Sequence, residues 1–161
     1  MKRTSVLKTR AVALAAALTL VPATFIAATP TDAEAATPAG AKALAFAKKQ
    51  IGDPYRFGAA GPNAWDCSGL TWKAYASAGK KSIGGHSATA QYRDAQREGR
   101  LRSYANRKAG DLIFYRSSGG GFYHVAIYAG GNKMVESPKP GTSVRLVPVR
   151  SGDRAAYVAR P

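Results

Sequence analysis

The chain has one cysteine, and its position is suited to nucleophilic catalysis. Cys67 follows Asp66, which can cap a helix, and precedes Ser68 and Gly69. A thiolate in the first turn of a helix is stabilised by the free backbone N–H groups, so we expect a lowered thiol pKa there. The alternative is a structural cysteine that packs as a small apolar side chain. We predict that Cys67 is the nucleophile.

A thiol nucleophile needs a base, and the chain contains two histidines, His86 and His124. His86 follows two glycines, and we expect it to be exposed in a loop. His124 lies near the start of an alternating segment, YHVAIYA at 123–129. This pattern predicts a strand in which the side chains of His124 and Val125 lie on opposite faces. If residues 129–131 form a turn, His124 lies opposite Glu136 on the next strand.

Glu136 would then orient the imidazole of His124 while that imidazole takes the proton from Cys67. Zinc held by the same three side chains is the alternative. It is disfavoured because the chain lacks the closely spaced ligand pairs of most zinc sites.

The elements that must position these residues divide into helices first and strands later. Capping residues and apolar periodicity predict helices over 38–51, 67–78 and 87–98, and we place residues 80–110 on the surface. Alternating and β-branched segments predict strands over 111–115, 123–129, 133–137, 143–149 and 156–159, with the Ser/Gly run at 117–121 as a flexible connection. This order predicts an α+β fold in which N-terminal helices pack on an antiparallel sheet.

Residues 1–35 have the layout of a secretory signal peptide. A basic leader precedes the uncharged run at 11–28, and Ala33-Glu34-Ala35 offers a cleavage site after Ala35 or Ala36. A transmembrane anchor is the alternative, but Pro22 and two threonines interrupt the run. We expect a secreted protein, extracellular or associated with a cell wall and without a stable membrane anchor, whose residues 36–161 form one domain.

The chain is strongly basic, with 24 Lys and Arg against 9 Asp and Glu and a net charge of +15. A large partner is therefore expected to be polyanionic, and the charge alone leaves nucleic acid, an anionic membrane and an acidic wall polymer open. Nucleic acid is disfavoured because no recognition motif accompanies the charge. A single cysteine excludes an internal disulfide and metal sites built from several cysteines. We expect the protein to act as a monomer.

Four motifs occur in order along the chain: DPYRFG at 53–58, GPNAWDCSGL at 61–70, GDLIF at 110–114 and HVAIY at 124–128. From about residue 40 onward the chain resembles the NlpC/P60 family of cell-wall cysteine peptidases. The resemblance implies a papain-like fold, no metal or cofactor, and hydrolysis of peptidoglycan stem peptides between D-glutamate and a diamino acid. It implies that Cys67 and His124 are catalytic, that Tyr55 lies near the oxyanion, and that Ser68, beside Asp66, lies at the substrate's amino end.

The third catalytic position departs from this family, whose members usually have histidine where this chain has Glu136. A carboxylate can also orient an imidazole, and it stabilises the imidazolium more than a neutral histidine does. Two other functions stay open. One is an N-acetylmuramoyl-L-alanine amidase of the CHAP type, in which a Cys-His-Glu set is common. The other is an inactive module that binds the cell wall.

Overall fold

The computed structural model describes residues 35–80 and 82–161. The predicted signal peptide lies outside the described residues except for Ala35. Three helices come first: α1 (Pro38–Lys49), α2 (Cys67–Ser77) and α3 (Ala88–Arg97). The strands follow: β1 (Leu101–Ser103), β2 (Leu112–Arg116), β3 (Phe122–Gly130), β4 (Lys133–Glu136), β5 (Arg145–Pro148) and β6 (Tyr157–Ala159), with a short 3-10 helix, Tyr104–Asn106, after β1.

Each helix begins at a side chain that caps it. Thr37, Asp66 and Ser87 accept hydrogen bonds from the backbone N–H three residues later, at 3.0, 2.7 and 3.3 Å. These caps satisfy N–H groups that have no partner inside the helix. The predicted helices are confirmed, although α1 ends at Lys49, one residue before its cap Gln50.

The six strands form one antiparallel sheet in the order β1-β6-β2-β3-β4-β5. The five predicted strands are present. The sequence did not predict β1, which spans only three residues, Leu101 to Ser103, and is too short to show alternation. It forms one edge of the sheet by pairing with β6.

The predicted pairing of β3 with β4 is wrong by two residues. Ile127, and not Val125, lies opposite Val135, because the turn falls after Gly130, at Gly131 and Asn132. Both turn residues have positive φ, 55° and 56°, as a two-residue hairpin turn requires. A shift of two residues preserves the face on which each side chain lies. His124 and Glu136 therefore still share a face.

The two faces of the sheet carry separate apolar clusters. The helices cover the larger one, which includes Phe114, Val125 and Ile127, and the other face carries a smaller cluster around Tyr115 and Tyr128. The α+β class, with helices packed on an antiparallel sheet, is confirmed. Within the described residues no helix combines the length and apolar character needed to cross a membrane.

The placement of residues 80–110 on the surface is wrong for α3. Its Tyr92 packs against Phe114 and Phe122, with ring centroids 5.2 and 4.2 Å apart, and its Ala95 is buried. This apolar face was not recognised in the sequence, because it consists mainly of alanines and one tyrosine among arginines and acidic residues.

Two polar side chains of α3 join elements that are distant in the sequence. The Gln91 amide donates to the carbonyls of Ser68 and Gly85, at 3.0 and 2.8 Å, and is buried. The Thr89 hydroxyl accepts from the Phe122 N–H at 2.8 Å and lies 3.2 Å from the Phe122 carbonyl. Helix α3 thus ties the first turn of α2 to the first residue of β3.

Candidate active site

An open cavity of about 400 Å³ lies where the first turn of α2 meets the beginning of β3. Cys67 lies on its wall, between Asp66 and Ser68, and Tyr55 and His86 line it as well. The structure therefore brings four of the six predicted site residues, Cys67, Asp66, Ser68 and Tyr55, to one cavity, whereas His124 on β3 and Glu136 on β4 do not line it.

The Cys67 thiol contacts the strand that carries His124. Its Sγ lies 4.0 Å from the carbonyl oxygen of Tyr123 and is hydrogen-bonded to the backbone of Val125, the two residues that flank His124. Burial raises the thiol pKa above its ordinary value, and the hydrogen bonds to the backbone at Val125 and Ser68 lower it by less. The nearby Asp66 charge also raises the pKa. Burial therefore outweighs the lowering of the thiol pKa that was expected at the helix N-terminus, and a base is needed to generate the thiolate.

His124 and Glu136 form a buried pair. The His124 Nε2 lies 2.8 Å from the Glu136 Oε2, and the residues are 2% and 0% exposed. An ionised carboxylate can only accept a hydrogen bond, so the proton of the neutral imidazole is on Nε2. Nδ1 is then left with a lone pair that can accept a proton.

Glu136 also binds two arginines that the sequence did not single out. Its Oε1 accepts from Nε and Nη2 of Arg145, at 3.1 and 2.9 Å, and its Oε2 accepts from Nη1 of Arg150 at 2.8 Å. Burial raises the Glu136 pKa, but the hydrogen bonds from His124, Arg150 and Arg145 outweigh it and lower the pKa to about 2. Arg145 lies directly opposite Glu136 on β5, so the β4–β5 register was the signal that could have found it.

We expect this carboxylate to stabilise the fold in a pH-dependent way. Its pKa is depressed in the folded state, so its stabilisation is present above the unfolded value of about 4.3 and is lost as the pH falls toward 2. The free energy of unfolding of the wild type should exceed that of Glu136→Gln by about 2 kcal/mol at pH 6, and the difference should shrink steadily below pH 4. Urea denaturation between pH 2 and 6 measures both. A difference that is constant over this range would contradict the prediction.

Asp66 connects the cavity wall to the start of α2. Its carboxylate accepts from the N–H groups of Gly58 and Gly69, at 2.8 and 2.7 Å, and from the Ser68 hydroxyl at 3.2 Å. The His86 Nε2 lies 2.8 Å from the same carboxylate. These four contacts fix the loop at Gly58 and the first turn of α2 relative to each other.

The expectation that His86 is exposed is wrong. Its side chain is 26% exposed, and its ring stacks on Trp72 with centroids 5.9 Å apart. It also lines the cavity. The glycines before it suggested only a loop, and a partner as distant as Asp66 left no local signal.

Tyr55 reaches the cavity from the loop before α2. Its N–H donates to the Thr142 carbonyl at 2.8 Å, which anchors this loop to the segment before β5. Partial burial raises the pKa of its phenol, and so do the charges of Cys67 and Asp66. Its hydroxyl therefore stays protonated at neutral pH and can donate a hydrogen bond into the cavity.

The alternative zinc site is not assembled. Among residues 35–80 and 82–161, no three His, Cys, Asp or Glu side chains are close enough together to hold a metal ion. Glu136 instead uses its oxygens to bind His124 and the two arginines.

Comparison with known proteins gives consistent matches. The family model for NlpC/P60 matches residues 52–158. The peptidoglycan endopeptidase RipA of Mycobacterium tuberculosis is 37% identical over 124 residues, which are 69% of this chain and 25% of RipA. The gamma-D-glutamyl-L-lysine dipeptidyl-peptidase of Bacillus subtilis is 32% identical over 99 residues, 60% of this chain and 31% of that protein. The chain spans only 18–25% of the length of three curated relatives that it matches.

Solved structures agree with the sequence matches. The NlpC/p60 domain of the peptidoglycan hydrolase SagA superposes with a TM-score of 0.63 at 37% identity, over 74% of this chain and 97% of that domain. Structures of RipA mutated at a cysteine, at a histidine and at a glutamate superpose with TM-scores of 0.64 at 32% identity, over 76% of this chain and 61% of each solved chain. With its helix-borne cysteine, its antiparallel sheet and a family match over 52–158, this chain belongs to the NlpC/P60 family.

Proposed function

We propose that this chain is a secreted peptidoglycan hydrolase, a cysteine endopeptidase that cleaves the stem peptide between D-glutamate and a diamino acid. The observation that carries the proposal is the buried His124–Glu136 pair behind a helix N-terminal thiol. RipA is named a peptidoglycan endopeptidase, and the Bacillus subtilis relative is named for a bond between D-glutamate and lysine. These names support both the polymer and the position of the bond.

The geometry suits acyl transfer through a thioester. Cys67 attacks the amide carbon while Nδ1 of His124 takes the thiol proton, and the resulting imidazolium gives that proton to the departing amine as the C–N bond breaks. Water then attacks the thioester with His124 again as the base, and the thiol is regenerated. Tyr55 can donate to the oxyanion from the wall of the cavity.

Glu136 takes the place of the histidine that is usual in the family. It holds the imidazole by Nε2, so that Nδ1 is directed away from it, and its charge favours the imidazolium that forms after proton transfer. The histidine and glutamate mutated in the RipA structures are twelve residues apart, as are His124 and Glu136. This spacing supports a Cys-His-Glu set for the present chain.

Export and attraction to the cell wall belong to the same proposal. The basic leader and apolar run at 1–28 support secretion. Without residues 1–35 the chain has 20 Lys and Arg against 7 Asp and Glu, and this net charge of +13 supports electrostatic attraction to anionic wall polymers that should weaken as salt is raised.

The experiment is mass spectrometry of defined muropeptides after incubation with the chain beginning at Ala36. We expect products cut between D-glutamate and the diamino acid. Cleavage at the sugar–peptide amide would instead identify an amidase of the CHAP type. If the wild type cleaves neither bond but still binds peptidoglycan, the chain is an inactive wall-binding module and the proposal is wrong.

A further inference from the structure

The smaller apolar cluster of the sheet is covered by arginines that stack on tyrosines. None of α1, α2 and α3 contributes to this cluster. The guanidinium carbons of Arg107 and Arg154 lie 4.2 and 3.4 Å from the centroid of the Tyr104 ring, which packs on the cluster. The guanidinium carbon of Arg150 lies 4.5 Å from the centroid of the Tyr115 ring. We call these five residues the arginine–tyrosine surface.

No carboxylate neutralises the charge of Arg107 and Arg154. Within residues 35–80 and 82–161, neither side chain takes part in an ion pair. The neighbouring Asp153 is hydrogen-bonded to Tyr123 instead. Two like charges therefore lie over the same tyrosine ring, and an anion bound beside them would offset their repulsion.

The hydrogen-bonding capacity of these residues is also largely unused. The Tyr104 hydroxyl and the Nε atoms of Arg107 and Arg154 are buried and have no hydrogen-bond partner in the part of the chain that the structure describes. Arg107 donates one bond from Nη1, to the Tyr104 carbonyl at 3.1 Å. Because buried polar groups in proteins are nearly always satisfied, this cluster is suited to an acceptor from outside the chain. Both arginines are partly exposed, so such an acceptor can approach them.

The third arginine extends the charge into a row. Arg154 lies opposite Tyr115 in an isolated backbone bridge, so the Arg150 guanidinium over Tyr115 adjoins the pair over Tyr104. Glu136 accepts from Nη1 of Arg150, whose side chain is still 41% exposed. The surface therefore suits anionic groups that repeat along a chain better than a single small anion.

The stacking favours phosphodiester groups that carry no bases. A guanidinium held on a ring presents its N–H groups in a fixed fork, which matches the oxygens of a phosphate. Bases need free aromatic faces, but guanidinium groups lie over the Tyr104 and Tyr115 rings, and Tyr115 is fully buried. A lipid surface needs exposed apolar side chains beside the cations. The large apolar side chains that the structure exposes lie elsewhere, at Ile51, Phe57, Tyr123, Leu146 and Tyr157.

We propose that the arginine–tyrosine surface docks the chain on a cell-wall polymer of phosphodiester-linked polyols. This inference rests on the proposed function, which places the chain at the wall. None of the five residues lines the Cys67 cavity, so the polymer and the stem peptide occupy separate sites.

The test measures the Kd of poly(glycerol phosphate) for the chain beginning at Ala36. Arg107→Gln/Arg154→Gln should weaken binding at least about tenfold and lower the salt slope of log K by about two. The matched control is Lys42→Gln/Arg93→Gln, which removes the same charge from exposed positions on α1 and α3. This control should weaken binding by at most about threefold. Single-stranded DNA, polyglutamate and phosphatidylglycerol vesicles are titrated in parallel, and each should bind more weakly than poly(glycerol phosphate).

Equal losses in the two double variants would show that only net charge matters and would overturn the inference. So would tighter binding of DNA or vesicles, or equal binding of polyglutamate. If Arg107→Gln/Arg154→Gln does not fold, Arg107→Lys/Arg154→Lys decides, because it keeps the charge and loses the planar fork. A loss of at least about threefold in that variant supports the surface, and wild-type affinity rejects it. Binding is measured without turnover, so a failure to cleave muropeptides contradicts the proposed function alone.

Discussion

Replacing Cys67 with alanine is expected to lower muropeptide turnover by at least about 10⁴-fold, to the background of the assay. The thiol is the strongest nucleophile among the side chains that line the cavity, where the Ser68 hydroxyl donates to Asp66 and the Ser87 hydroxyl caps α3. The fold should hardly change. Cys67 is partly exposed in the first turn of α2, so the loss of its sulfur costs about 1 kcal/mol or less.

The wild type offers a second, independent test of the same assignment. The chain has one cysteine, so iodoacetamide modifies Cys67 and no other thiol. Alkylation should abolish turnover in proportion to the modified fraction measured by intact mass. Ser87→Ala is a suitable control variant, because it removes a side chain from the same cavity and should retain turnover within about threefold. Residual turnover by Cys67→Ala near the wild-type rate would show that the thiol is not the nucleophile.

Replacing Glu136 with glutamine is expected to lower kcat by about 100-fold or more and also to destabilise the fold. An amide can still accept a hydrogen bond from Nε2, but it does not stabilise the imidazolium, and its N–H group can meet His124 instead. The change also leaves Arg145 and Arg150 without their anion. Removing one member of a fully buried ion pair costs about 3–5 kcal/mol, but both arginines are nearly half exposed and can be solvated, so we expect about 2 kcal/mol.

The two effects of Glu136→Gln must be measured separately. Urea denaturation at pH 7 gives the free energy of unfolding. Single-turnover rates give the rate of the chemical step, and they are measured without urea at a temperature well below the thermal unfolding transition. The pH dependence of iodoacetamide reaction provides a further readout, since loss of the carboxylate should lower the thiolate fraction at neutral pH. Glu98→Gln is the matched control, because Glu98 is exposed at the end of α3. If Glu136→Gln is destabilised but retains wild-type kcat, Glu136 has only a structural role.

The parts of this fold that sequence could predict are those with local signals. The caps Thr37 and Asp66 and the alternation in β3 depend on neighbours within a few residues, and the structure agrees with each of them. The contact of His124 with Glu136 could be anticipated despite the wrong register, because a two-residue error keeps the same face.

The parts that sequence could not predict depend on contacts between distant segments. The residues near His86 in the sequence do not indicate that its ring contacts the Asp66 carboxylate. Those near Gln91 do not indicate that its amide donates a hydrogen bond to the Ser68 carbonyl. Arg150 lies beyond the end of β5, so no strand pairing connects it to Glu136. The thiol pKa was misjudged for a similar reason, since burial is a property of the assembled fold.

The hydrogen bond from the Phe122 N–H to the Thr89 hydroxyl makes the position of His124 independent of the length of the loop that precedes β3. In an ordinary hairpin the turn sets the register, so an inserted residue would move every later side chain. Here a helix holds the first residue of β3 from outside the hairpin, and Gly119 and Gly120 extend into open space. The segment between β2 and β3 is thus a place where this chain can accept added sequence, such as an epitope or a small binding peptide, beside the Cys67 cavity without displacing His124.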